Sequence, residues 1–163
     1  FKENLKFSFP SSVVQTQSEF APSLWALQRV NSLPNHDIRV HGERVRNRYS
    51  IIPQGARDST DHTDRINSEK PSGTVLVGSS AGGGRPHIHP LEPRVITVRE
   101  AARLQSFPDW YEFRGTGTSQ YRQVGNAVPP LLAFEIGKSI RAALDQEKID
   151  KTLNVSKPRL SKP

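Results

Sequence analysis

Apolar positions along the chain come in short runs separated by long polar stretches. Leu24, Leu27 and Val30 recur at helical spacing, with Pro22 in the first turn and Pro34 just past the end, so residues 21–33 are expected to form a helix. Residues 43–52 read as a second short helix, stopped by Pro53 and Gly55. Residues 1–10 alternate loosely and suit a short strand or connector, and residues 58–72 are polar and loop-like. Thr74, Val75, Leu76 and Val77 predict a strand over 73–80, broken by Gly82, Gly83 and Gly84; residues 94–97 are a further extended piece.

The sharpest local signal follows. Thr97-Val-Arg-Glu100 has the form of a capping box, in which the threonine hydroxyl accepts the Glu100 amide and the glutamate reaches back. The helix it starts carries Ala101, Leu104 and Gln105 and stops before Pro108. A loop at 115–118 leads to a short helix ending at Gly125. A last helix is expected to begin near 126–128, where Pro129 and Pro130 are tolerated in the first turn. Its apolar stripe is Leu132, Ile136, Ile140 and Ala143/Leu144. Residues 147–163 are polar and basic and read as a frayed tail.

Composition narrows the picture. A formal charge of +7 fits an anionic partner, nucleic acid first, because lysine and arginine displace counterions from phosphates. The hydrophobic share of 34%, with 13 prolines and 11 glycines, points to a loop-rich build with a modest core. There is no cysteine, which excludes disulfides, thiolate metal sites and a cysteine nucleophile within these residues. There is no methionine either, and a start at Phe1 is read as that of a fragment, a processed piece or a clipped reading frame. No apolar run approaches the roughly 18–20 residues that span a bilayer, so no membrane is expected and the location is expected to be cytoplasmic. Asn154-Val-Ser156 matches a glycosylation sequon and is read as chance.

Two late motifs carry more. Residues 94–109 read Arg-Val-Ile-Thr-Val-Arg-Glu-Ala-Ala-Arg-Leu-Gln-Ser-Phe-Pro-Asp, and residues 119–130 read Ser-Gln-Tyr-Arg-Gln-Val-Gly-Asn-Ala-Val-Pro-Pro. In this order and spacing they resemble the ninth and tenth motifs of the DNA (cytosine-5) methyltransferases. Upstream, residues 41–49 with Ile52-Pro-Gln-Gly55, and Asp64-Arg-Ile66 with residues 70–75, are similar to segments of the same family. The resemblance covers roughly residues 1–146.

It implies an α/β parent enzyme, with this piece a mixed α+β body. A small, irregular, β-rich target-recognition domain with the ninth motif would span 11–110. Residues 1–10 would end a catalytic-domain strand or connector, and 111–146 would carry the tenth motif and a helix back to a Rossmann-like core absent from this chain. Residues 147–163 would be a basic disordered tail. It also implies double-stranded DNA as substrate, S-adenosylmethionine as cofactor, and an N-terminal catalytic half as partner, in a bacterial restriction–modification setting. The family's Pro-Cys-Gln nucleophile loop, Glu-Asn-Val glutamate, Gln-x-Arg-x-Arg block and glycine-rich cofactor loop do not occur here. Carbon 5 of cytosine is a poor nucleophile until a thiolate adds at carbon 6, so the chain by itself is expected to be inactive and to hold no catalytic residue.

Carried over position by position, the resemblance makes Thr74 a backbone-phosphate contact, with Val75 its aliphatic partner. Gly82, Gly83 and Gly84 would allow close backbone approach to DNA, and Arg85 would be a groove or phosphate contact. Arg99, Glu100 and Arg103 would be a structural arginine–carboxylate network. Gly125, Asn126 and Ala127 would help close the S-adenosylmethionine site, offering amides at a helix start. Read without the family, Thr74 is an ordinary strand threonine, the glycines a loose hairpin and Asn126 a helix cap. His87 and His89 would share one face of a strand, but no cysteine or carboxylate completes a ligand set and no metal is expected. The alternative reading is a non-catalytic basic DNA-binding or regulatory module derived from that family.

Overall fold

The computed structural model describes residues 22–28, 32–75 and 86–155, with side chains omitted at 147 and beyond 149. The chain divides into two compact units, Phe20–Pro130 and Phe1–Glu19 with Leu131–Pro163. The larger unit contains helices α1 (Ser23–Leu27), α2 (Glu43–Ile51), α3 (Val98–Leu104) and α4 (Gly117–Asn126). Helix α5 (Pro130–Val155) runs into the smaller one.

The first helix is shorter than its periodicity suggests. Gln28 already has extended backbone angles, and its carbonyl is taken by the Arg103 guanidinium. Its first amides are satisfied from outside, Ser23 N–H by the Lys70 carbonyl at 3.1 Å and Leu24 N–H by that of Ser68 at 3.2 Å. Helix α2 ends one residue before the expected point. Arg65 covers its C-terminal end by donating to the carbonyls of Tyr49 and Ile52, each at 2.8 Å. Both bonds of the capping box at Thr97 and Glu100 are present.

The expected β-rich body does not appear among the described residues. Pairing is confined to isolated bridges, Arg57 with Asp64, Arg65 with Ile88, and Ile88 with Val95. Residues 71–75 of the expected 73–80 strand are irregular, and 76–80 lie outside the described residues, as do the expected 1–10 strand, Gly82, Gly83, Gly84 and Arg85. Side chains satisfy much of the backbone instead of a ladder, as the arginine contacts show.

Two apolar clusters fill the larger unit. One joins Leu27, Ile66, Ile96, Val98, Ala101, Ala102, Phe113 and Val124; the other joins Tyr49, Ile88 and Val95. Val124 of α4 shares a cluster with Ala101 and Ala102 of α3, and the residues up to Pro130 fall in this unit. In the smaller unit, α5 continues to Val155, so the tail expected from 147 is helical to that point. No proline or glycine interrupts it after Gly137, and Lys138–Glu135 and Arg141–Asp145 pairs support it. Leu132 and Ile140 of the expected stripe are exposed, and so are Leu131, Phe134 and Ile149.

Between the clusters sits a buried ion pair. Glu100 is fully buried and receives Arg94 through two nitrogens, at 2.8 and 2.9 Å. It also accepts the Thr97 amide at 2.7 Å. Burial pushes the Glu100 carboxyl up, but the Arg94 guanidinium and the Thr97 amide outweigh it and hold the group below its ordinary value. A carboxyl depressed by folding stabilises the fold above its unfolded pKa, and that stability is lost as pH falls through the folded value.

Two outcomes follow from this pair. Arg94→Met strands a buried carboxylate and should cost about 3–5 kcal/mol in urea unfolding at pH 7. The gap between wild type and this variant should narrow as the pH falls. The narrowing should start above the ordinary glutamate value, because without Arg94 burial alone raises the carboxyl, and the gap should close only below the lowered value it has beside Arg94. A gap independent of pH would show that Glu100 is not the source.

Candidate functional site

The predicted site residues fall into three groups that the fold treats differently. Arg99, Glu100 and Arg103 are scaffold, but not as one network. Glu100 pairs with Arg94, a partner the motif reading left out. Arg99 meets no carboxylate: it is fully buried and donates to the carbonyls of Pro34 at 2.9 Å, Pro108 at 3.1 Å and Tyr111. Arg103 holds Asp109 through both carboxylate oxygens at 2.7 and 2.6 Å. Together the two guanidinium groups clamp the turn at 108–111, in which the Tyr111 amide donates to the Pro108 carbonyl at 3.1 Å. Trp110, 78% exposed, stands at its tip beside the Tyr111 ring, which clusters with Phe107 and Phe113.

Thr74 and Val75 form the second group. Residues 68–75 are strapped to the larger unit at several points. Ser23 N–H and Oγ–H hold the Lys70 carbonyl, His87 Nε2 holds the Thr74 carbonyl at 3.0 Å, and Val75 packs on the larger apolar cluster. Thr74 itself is exposed. The strap therefore fixes the backbone and leaves the side chain facing outward. Arg85 and the three glycines lie outside the described residues.

The third group differs from expectation in polarity. Gly125 and Asn126 end α4, Ala127 is its C-cap, and α5 does not begin until Pro130. Val124 is buried and its carbonyl accepts the Ala127 amide at 3.3 Å, so packing extends the helix past Gly125. Residues 125–127 thus present the carbonyl end of a helix, which favours a cation over a carboxylate. Asn126 is exposed there.

Two of the histidines accept backbone amides. His89 Nδ1 accepts the amides of Leu91 at 3.2 Å and Glu92 at 3.1 Å, leaving the proton on Nε2, 3.9 Å from Glu100. Burial pulls its pKa below the usual histidine value, so the ring is neutral. His41 Nε2 accepts the Val95 amide at 3.3 Å, and burial and then Arg39 lower its pKa too. Among the described residues no cluster of three potential metal ligands occurs.

A cleft of about 420 Å³ opens beside these groups, lined in part by Asn35, Asp37, Arg39, Val98, Thr116 and Gln120. Arg94, His87 and Asn35 were missed from sequence. The only local signal was at Asn35, an asparagine after Pro34, the side-chain-bearing residue type that most readily takes a left-handed turn.

A family model, C-5 cytosine-specific DNA methylase, matches residues 6–142. The type II methyltransferase M.XorII of Xanthomonas oryzae is 44% identical over 112 residues, covering 64% of this chain and 26% of that protein. The type II methyltransferase M.NgoFVII of Neisseria gonorrhoeae is 34% identical over 149 residues, covering 79% of this chain and 39% of its own length. Among solved structures, a protein described as a DNA modification methyltransferase encoded within a prophage (E. coli) superposes with a TM-score of 0.61 at 34% identity, over 75% of this chain and 32% of that one. The chain spans about a quarter to two fifths of the length of these curated relatives.

Arg99→Lys keeps the charge but cannot reach three splayed carbonyls with one ammonium. It should destabilise the chain by about 2 kcal/mol or more, the cost of stranding buried carbonyls. Urea unfolding measures it, and Trp110 emission should change with it; an unchanged midpoint would remove Arg99 from the scaffold.

Proposed function

The chain belongs to the C-5 cytosine-specific DNA methylase family, and from that premise we propose that it is the DNA-recognising and cofactor-site-completing part of a DNA cytosine-5 methyltransferase. The reaction transfers a methyl group from S-adenosylmethionine to carbon 5 of a cytosine flipped out of duplex DNA. The thiolate it requires is not among these 163 residues, which hold no cysteine, and comes from an N-terminal catalytic half. The observation that carries the reading is the strap: a segment bonded to the fold at Lys70 and Thr74 and packed on it at Val75, which leaves the Thr74 side chain exposed to meet a phosphate.

At the other site, the chain contributes the end of α4. S-adenosylmethionine supplies the methyl group, and its amino and sulfonium groups are cationic. Gly125, Asn126 and Ala127 offer helix-end carbonyls and one exposed side-chain amide, which suit that cationic part better than the carboxylate. We place it in a bacterial type II restriction–modification setting, since the bacterial relatives named above are type II methyltransferases. A second reading, a binding module without catalysis, rests on the same absence of cysteine and on the +7 charge.

Tritiated methyl transfer separates the two. The chain mixed with the N-terminal part of M.NgoFVII should label duplex DNA, and the chain by itself should not. Salt-sensitive DNA binding by the chain, with no transfer in the mixture, would favour the binding module. Thr74→Val should weaken DNA binding about tenfold for every sequence tested, as expected for a lost bond to a charged oxygen. The salt slope should not change, since a neutral hydroxyl displaces no counterion. Loss confined to one DNA sequence would overturn the phosphate assignment.

A further inference from the structure

Asn35 joins three segments through one residue. Its backbone is left-handed, with φ 63°, a conformation asparagine adopts more readily than other side-chain-bearing residues. Its carbonyl thereby accepts the Arg99 amide at 2.9 Å, an amide in the first turn of α3 with no partner inside the helix. Its side chain closes a two-way clasp on Phe113: Nδ2 donates to the Phe113 carbonyl and Oδ1 accepts the Phe113 amide, both at 2.9 Å. Phe113 is buried against Phe107 and Tyr111. Two residues later Gly115, at φ 91°, turns the chain, and the Thr116 hydroxyl caps α4. Gln120 and Gln123 of α4 reach back to the carbonyls of Gly115 and Arg114. The entry to α4 is thus held by Asn35 on one side and by α4 itself on the other.

We propose that Asn35 is a positioning residue that sets the direction of α4, and with it the place of Asn126, against α3 and the segment at 36–40. The proposal rests on the reading that the end of α4 completes the cofactor site. Ten helical residues make a rod of roughly 15 Å, so a tilt of about 10° at its start shifts its end by roughly 2–3 Å. A side chain remote from the cofactor therefore controls it through the geometry of one short helix. The clasp also ties this helix to the segment 36–40, which lines the cleft with it.

Asn35→Gly isolates the clasp, because glycine keeps the left-handed backbone and the carbonyl that caps Arg99. In the chain mixed with the N-terminal part of M.NgoFVII, this variant should raise the KM for S-adenosylmethionine about tenfold while the KM for DNA stays within about twofold. Asn35→Asp turns a second carboxylate oxygen towards the Phe113 carbonyl and should do at least as much. In the full chain by itself, amide exchange over residues 117–124 should quicken in Asn35→Gly, with α2 unchanged. With an active wild-type mixture, equal shifts in both KM values, no shift, or unchanged exchange at 117–124 would overturn the role of Asn35 and leave the cofactor reading standing. A wild-type mixture that transfers no methyl group would overturn that reading and this proposal with it.

Discussion

The larger unit depends on the buried pair of Arg94 and Glu100. Taking two charges out of water is costly, and the pair holds because every strong donor around the carboxylate is aimed at it. Arg94 also reaches the Glu92 carboxylate and the Val95 carbonyl. Burial works against its charge, but Glu100 and Glu92 reverse that and raise its pKa above the usual arginine value. The pair joins the extended residues before α3 to the cap of α3. Its position relative to His89, Thr97 and His36 follows from the same few bonds.

That constraint explains how a body with so little β-ladder can be built. Backbone carbonyls that a sheet would satisfy are satisfied by guanidinium groups. Arg65 serves Tyr49, Ile52 and Pro90; Arg99 serves Pro34, Pro108 and Tyr111; Arg103 serves Gln28. A guanidinium suits this work because it offers five donors in a rigid plane. Arginine is thus partly a building material here. The net charge overstates what is available to a polyanion, since Arg48, Arg57, Arg65, Arg94, Arg99 and Arg103 are committed internally. Arg39, Arg44, Arg46 and Arg122 are exposed.

The two surfaces of functional interest are organised by opposite means. The Thr74 strap is fixed at its backbone and leaves its side chain exposed. The end of α4 is placed by what happens at the other end of the helix, where Asn35 and Gly115 set its entry. Both devices keep the exposed groups from paying the full entropy of ordering when a ligand arrives.

Much of this was legible in the chain itself. The capping box at Thr97 and Glu100, the extents of α2 and the start of α3, and the family motifs at 94–109 and 119–130 are local patterns, set by capping and by periodicity within a few residues. The two motifs also carried the family. What the sequence could not determine are the long-range choices: that Arg94 and not Arg99 partners Glu100, that α1 ends where Arg103 takes the Gln28 carbonyl, and that α4 runs past Gly125 because Val124 is buried. The polarity at 125–127 and the clasp of Asn35 on Phe113 are of the same kind. Each joins residues far apart in sequence or turns on how deeply one residue is buried, and no local pattern encodes which buried carbonyl a guanidinium will meet. Only the packed tertiary structure, by deciding which polar groups lose water together, made those assignments.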